Sequence, residues 1–387
     1  MRLIAASILL LSLQAYAQDF SAVLHSIEQH STHLSARRIE AVADQTEARL
    51  GHLPEGPSLS VGYLFGIGQS GSKVDVSLEQ ALDFPTTYAA KRRMAREASR
   101  VATLRYLDER RQLLLTAHKL CIEVVYCNAM MEHLNEDLER MRSMSEAYNT
   151  LFEQGEATSI DHNKAHQAVL MFDAEYREFM TMKENLLAEL ACLNGGEPVC
   201  IQDSAFTNPP VEADFDSWMQ AHLESYPALQ LAIGQAEQEK AALTVAKRQQ
   251  LPGLTVGAAA EIGREEKVVG PTVGLTLPAW GARRKVKVAE SRLMARKMEV
   301  EDVRLHLMTQ LQGMHREALE LQETNRQLTH HLTHCDNSEL LQKSLAAGQI
   351  TLLTYLQELQ FVHEMHEKHL ATERDLALRL AELDPHL

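Results

Sequence analysis

The chain has 387 residues, 45% of them hydrophobic and 24% charged, with a formal net charge of −15. That is apolar enough to build packed cores and long enough for two or three units, which excludes a disordered chain. The acidic balance excludes a general binder of nucleic acid or of anionic headgroups, since both would repel it.

In chain order, the first element is a leader. Met1-Arg2 is a short basic start, Leu3 to Leu13 an apolar stretch and Ala15-Tyr16-Ala17 a small-x-small cleavage site. Residues 1–17 therefore read as a secretory signal peptide, with Gln18 as the first mature residue. No cysteine follows the apolar stretch, so no lipid anchor is expected. No later run of about 18 apolar residues appears, so a membrane could be crossed only by β-strands.

A weak helix, His30 to Leu50, precedes a hairpin over residues 58–84. Leu59, Val61, Tyr63 and Phe65 alternate with Ser58, Ser60 and Gly62, and Val74, Val76 and Leu78 with Asp75, Ser77 and Glu79. Period two gives strands with one apolar and one small-polar face. Gly66 to Ser72 is the turn-rich join. Residues 86–154 contain neither proline nor glycine and predict one helix, ~100 Å long at 1.5 Å per residue. Met131, Leu134, Leu138, Met141 and Tyr148 run along it at 3–4 spacing, as in a coiled coil. Gly155 marks the turn into a return helix, 159–193.

Cys192 and Cys200 flank a turn-rich stretch, and a bridge between them is one hypothesis; Cys121, Cys127 and Cys335 have no evident partner. Residues 195–211 read as a linker, rich in Gly, Pro and Asn. The order of elements then starts again. Leu254, Val256, Ala258, Ala260 and Ile262 alternate, as do Val273, Leu275 and Leu277, giving a hairpin over 254–277 joined through Gly263 to Gly270. A long helix is expected over 282–347, a turn at Gly348 and a return helix over 351–381.

Landmarks recur at an offset near 195 residues: Leu53-Pro54 with Leu251-Pro252, Phe84-Pro85 with Leu277-Pro278, Gly155 with Gly348. The chain thus reads as a tandem duplication, residues 18–194 and 212–387. The fold class expected is mainly α with a small β part.

The leader, the duplication, the strand hairpins set between long helices and the turn segments Leu151-Phe152-Glu153-Gln154-Gly155-Glu156-Ala157-Thr158-Ser159-Ile160-Asp161 and Leu345-Ala346-Ala347-Gly348-Gln349-Ile350-Thr351-Leu352-Leu353 together resemble the TolC-like outer membrane efflux family. The resemblance covers nearly all of the mature chain and rests on order and spacing rather than on one strong motif. It implies a homotrimer in which four strands per protomer close a twelve-stranded transmembrane barrel in outer-membrane lipid, above coiled-coil hairpins in the periplasm of a Gram-negative cell. It also implies a passive exit duct of a tripartite efflux or type I secretion-like system, with a periplasmic membrane-fusion adaptor and an inner-membrane pump of the RND or ABC type. By the same likeness Gly155, Ala157, Gly348 and Ile350 are the adaptor-docking positions, and Asp161, Thr354 and Gln357 fall at the pore entrance. Some relatives carry two acidic residues where Thr354 and Gln357 stand here, so an acidic ring from that repeat is not expected.

Eighteen histidines are present. His330 and His334, at i and i+4, lie on one helix face and are candidate metal ligands; His363, His366 and His369 recur at a spacing that drifts around a helix. Some members of the family export heavy metals, so metal cargo is one option. No Gly-rich phosphate loop, Gly-x-Ser-x-Gly or His-Glu-x-x-His occurs, so neither enzyme activity nor a cofactor is expected. A second reading is a secreted or periplasmic coiled-coil scaffold or adaptor without a pore; it leaves the four alternating strands without a purpose.

Overall fold

The computed structural model describes residues 20–65, 72–263, 266–277, 281–335 and 337–385. The leader 1–17 and all of the first hairpin join but Ser72 lie outside them. The elements are α1 (Ser21–His30), α2 (Thr32–Leu50), β1 (Ser58–Leu64), β2 (Lys73–Leu82), α3 (Pro85–Glu153), α4 (Ser159–Leu193), α5 (Phe215–His222), α6 (Pro227–Arg248), β3 (Gly253–Ile262), β4 (Lys267–Thr276), α7 (Ala282–Cys335), α8 (Ser338–Ala346) and α9 (Leu352–Leu383).

Two compact units share these elements. One comprises the chain through Ser35, Arg110–His222 and the chain from Met308. It is helical, and its core follows the apolar seam of α3 except at its start, where Met130 is buried and the expected Met131 only half-buried. Met130, Leu134 and Met141 are fully buried with Leu138 beside them, packed with Ala165 and Phe172 of α4 and with Leu352, Tyr355 and Leu359 of α9. A second cluster joins Ile27 of α1, Val124 and Val125 of α3, Leu190 of α4 and Ala381 of α9. One 18-residue stretch of α3 reaches a mean hydropathy of 1.2, enough by length and composition to cross a membrane, which corrects the expectation of no such segment. Much of it, 56%, is buried inside the protein, so this apolar surface is occupied by packing.

The other unit comprises Ala36–Glu109 and Leu223–Leu307 and holds one four-stranded sheet, wholly antiparallel, in the order β1-β2-β3-β4. Both hairpins therefore share one sheet, joined where β2 pairs with β3, for example Val76 with Ala260. The second join is shorter than its glycines suggest. β4 begins at Lys267, so Gly270 lies in the ladder opposite Ala259, and Gly263 closes the turn by donating to the Glu266 carbonyl at 2.8 Å.

The helix expected over 282–347 is interrupted. α7 ends at Cys335 and α8 starts at Ser338 with Asn337 as its cap. Asn and Ser have low helix preference in interiors, and the break falls at this polar run, although the Asn337 side chain makes no cap hydrogen bond.

Candidate functional site

Residues directly opposed in an antiparallel ladder share a face. The register puts Leu59, Val61 and Tyr63 opposite Leu78, Val76 and Val74; these face Ala258, Ala260 and Ile262, and beyond them Pro271, Val269 and Lys267. Leu82 and Leu254 align with Leu275, and Val256 with Val273. The result is one nearly continuous apolar face. The opposite face carries Ser60, Ser77, Asp75, Thr255, Gly257, Gly274 and Thr272, with Ser60 and Ser77 hydroxyls 2.6 Å apart. The apolar face is uncovered: Val61 is 68% exposed, Val269 75% and Val273 73%. Strands β1 and β4 are the sheet's two edges, and long apolar edge strands are open to pairing with another chain.

The two interhelical turns are built alike. Gly155 (φ +78°) and Gly348 (φ +69°) adopt the left-handed conformation that favours glycine. Glu156 N–H donates to the Leu151 carbonyl and Gln349 N–H to that of Ser344, closing the preceding helices. Thr158 and Thr351 then cap the next helices, each hydroxyl accepting from the N–H three residues on, Asp161 at 3.1 Å and Thr354 at 3.2 Å. The Asp161 carboxylate also accepts from the Thr158 hydroxyl at 2.7 Å, so its position serves the cap. Gly155 and Gly348 are exposed, as are Thr354 and Gln357; Ala157 is half-buried and Ile350 packs against the core cluster of α3, α4 and α9.

Cys192 and Cys200 are both free and exposed, without the bridge that was one hypothesis. Positive φ at Gly195 and Gly196 turns the chain away right after Cys192, with Gly196 N–H bonded to the Ala191 carbonyl. His330 and His334 do stack, with ring centroids 4.4 Å apart. Both are exposed, His334 Nδ1 is engaged by the His330 carbonyl at 2.9 Å, and no third ligand joins them among the described residues.

A different polar cluster sits in the helical core. Asp137 occupies a seam position of α3 and is buried. Its Oδ2 accepts from His363 Nδ1 of α9 at 3.2 Å, and its Oδ1 from Arg140 at 2.6 Å. His363 Nε2 donates to Glu175 of α4 at 3.2 Å. Burial pushes the His363 imidazole down, yet its bonds to the two carboxylates outweigh this and lift it to about 9. Burial lowers His133, one turn before Asp137, to about 4, with Asp137 opposing and the nearby cations adding. Burial raises Asp137, but His363, His133 and Arg140 together hold it below the ordinary carboxylate value. Sequence reading had set His363 among weakly spaced histidines and passed over Asp137; a carboxylate in a Leu/Met seam one turn after a histidine was the available signal.

No sequence-family profile and no curated protein sequence matches the chain; the likeness lies in three dimensions. The Campylobacter jejuni CmeC outer membrane channel is similar at TM-score 0.75 and 14% identity, over 94% of this chain and 84% of that one. CusC is similar at TM-score 0.77 and 12% identity, over 96% and 95%. The Neisseria gonorrhoeae MtrE outer membrane channel, in its open state, is similar at 0.75 and 15%, over 94% and 87%. The fold is that of an outer-membrane efflux channel. The mainly helical chain with one small antiparallel sheet matches these channels, and the TolC-like resemblance read from the sequence is upheld at the level of the fold.

Proposed function

We propose that the protein is an outer-membrane exit duct, passively conducting substrate to the cell exterior for a tripartite efflux or type I secretion-like system. The observation that carries this reading is the exposed apolar sheet face bounded by two open edges. In water such a face would drive aggregation; against lipid it is satisfied. Strands of 10 residues in β2, β3 and β4 suit a tilted crossing of the hydrocarbon layer. A lone four-stranded sheet cannot hide its edge groups in lipid, so three protomers close one barrel of twelve strands.

The chain is then a homotrimer in the outer membrane of a Gram-negative cell with a large periplasmic part, and its halves are a tandem duplication. The two exposed glycine turns, at Gly155 with Ala157 and at Gly348 with Ile350, receive the hairpins of a periplasmic membrane-fusion adaptor. An inner-membrane pump of the RND or ABC type supplies energy and selects cargo; this chain performs no catalysis. Asp161, Thr354 and Gln357 lie near the entrance, and of these three only Asp161 is acidic. A coiled-coil scaffold without a pore leaves the apolar sheet face unexplained.

Fractionation tests the reading. The protein should stay with the outer membrane through high-salt and carbonate washing and come out of detergent as a trimer. Recovery as a water-soluble single chain would refute it.

A further inference from the structure

The polar cluster of the helical unit holds two buried nitrogen atoms that its hydrogen bonds do not use, Arg140 Nε and His133 Nε2, and of these only the imidazole can ligate an ion. His133 Nε2 is buried and makes no hydrogen bond, although it lies 3.4 Å from Asp137 Oδ2. His363 Nδ1 stands 3.2 Å from the same oxygen. The ligand atoms of His133, Asp137 and His363 all fall within 4.8 Å of one another. In a tetrahedral zinc site with bonds of about 2.0–2.1 Å, neighbouring ligand atoms are about 3.3–3.4 Å apart. Two of the three edges, at 3.4 and 3.2 Å, are within about 0.1–0.2 Å of that length.

The surroundings are those of a supported site. Histidine ligands of metals commonly donate their other ring nitrogen to a carboxylate, which fixes ring orientation and raises basicity. Here His363 Nε2 donates to Glu175 at 3.2 Å. The second oxygen of Asp137 is held by Arg140 at 2.6 Å, which leaves Oδ2 for a single bond to the ion. Opposing this, Arg140 brings positive charge. Asp137 and Glu175 outnumber it, so the site with neutral imidazoles keeps net negative charge for a dication. His133 stacks on His366 at 4.5 Å between centroids and on His363 at 5.3 Å, and Phe172 meets His363 edge-on, which limits how the rings can turn.

We propose that His133 Nε2, Asp137 Oδ2 and His363 Nδ1 form a binding site for one divalent first-row transition-metal ion per protomer, of the zinc class. Two imidazoles and one carboxylate suit Zn²⁺ and its neighbours in the series, and suit neither Mg²⁺ nor Ca²⁺, which prefer oxygen ligands in larger number. Binding displaces the proton that His363 carries at Nδ1 to solvent, and the ion takes its place. Water completes the coordination. With His133 and Asp137 on α3, His363 on α9 and Glu175 on α4, the ion ties three helices of one unit together. The site is independent of whether the protein conducts a substrate.

The test uses the full-length protein in detergent, stripped with a chelator and titrated with ZnSO₄ by calorimetry, with Co²⁺ absorption as the geometric readout. One equivalent per protomer should bind, Co²⁺ should show four-coordinate bands, and Tm should rise with Zn²⁺. H133Q removes a ligand atom that makes no hydrogen bond to the protein, so the fold should persist while affinity falls at least ~100-fold. E175Q should weaken binding by ~10–100-fold, the usual effect of losing such a support. H330Q/H334Q should bind as the parent does. A parent that takes up no equivalent, an H133Q protein that binds as tightly as the parent, or binding that follows His330 and His334 instead would each overturn the proposal.

Discussion

Adding a single methyl group to Gly257 should disrupt the sheet at its centre. Gly257 lies in β3 opposite Glu79 of β2 and Thr272 of β4. A Cβ built there falls under 3.0 Å from the Leu78 carbonyl oxygen, 2.8 Å from Thr272 Oγ1 and 3.1 Å from Glu79 Cα. The threonine can rotate; the Leu78 carbonyl and Glu79 Cα are backbone and cannot yield separately. Ordinary C···O contact begins at about 3.3 Å, so the β2 and β3 backbones must part by more than ~0.3 Å. Ladder bonds of about 2.9 Å then stretch beyond the useful limit of about 3.2 Å. Losing one such bond costs about 0.5–1.5 kcal/mol and the overpacking itself about 1–3 kcal/mol. G257A should therefore lose roughly 1.5–4.5 kcal/mol per protomer, by the sum of those two ranges. Gly270, in neighbouring β4, is the control, since a Cβ there meets nothing within 4 Å. G270A should be neutral or slightly stabilising, because glycine inside a strand is about 0.5–1 kcal/mol worse than alanine. Denaturant unfolding of the detergent-purified proteins, with the assembled fraction followed on native gels, measures both. Equal losses in the two variants, or none in G257A, would refute the register and the close approach together.

Other expectations concern the helical unit. Leu134→Ala empties a fully buried seam position and should cost about 2–5 kcal/mol in thermal or denaturant unfolding. Gly155→Val and Gly348→Val meet no neighbouring atom but must hold positive φ, so each should lose about 1–2 kcal/mol, with Asn in place of Val losing less. Burial lowers the pKa of His118, with Asp384 partly opposing. The unfolded chain therefore takes up that proton first, and stability should fall as pH drops below the unfolded value of about 6.5 toward the lowered folded value. His118→Leu should flatten that part of the pH–stability curve. Of the four described cysteines, Cys192 and Cys200 should react at once with a thiol reagent. Cys121 and Cys127, pushed by burial up to about 12 and about 11, should react only on unfolding.

The sites differ in how far the chain's own order exposed them. Gly155 and Gly348 were legible because a helix stop of that kind is written within a few residues: glycine at the left-handed position, then threonine at the next cap. The break after Cys335 falls at the polar run Asn337-Ser338, but the absence of proline from 282–347 was given more weight than polar side chains there. Gly270 was misread as turn because its small size belongs to the polar face of β4, a fact visible only once Ala259 lies opposite it. The histidine pair at His330 and His334 had helical spacing but no third ligand among the described residues, whereas His363 meets Asp137 across 226 residues.

By itself the sequence determined the local elements: alternating strands, the helix of 69 residues with no proline after its first position and with its apolar seam, and the glycine turns. Each depends on side chains a few positions apart, where periodicity and backbone preference act directly. Tertiary structure decided that β2 lies beside β3, so that two hairpins make one sheet with a single apolar face, and that a carboxylate in the seam meets imidazoles from α3 and α9. Such pairings are set by how helices and strands pack after they form, and residues hundreds of positions apart carry no mutual pattern until then.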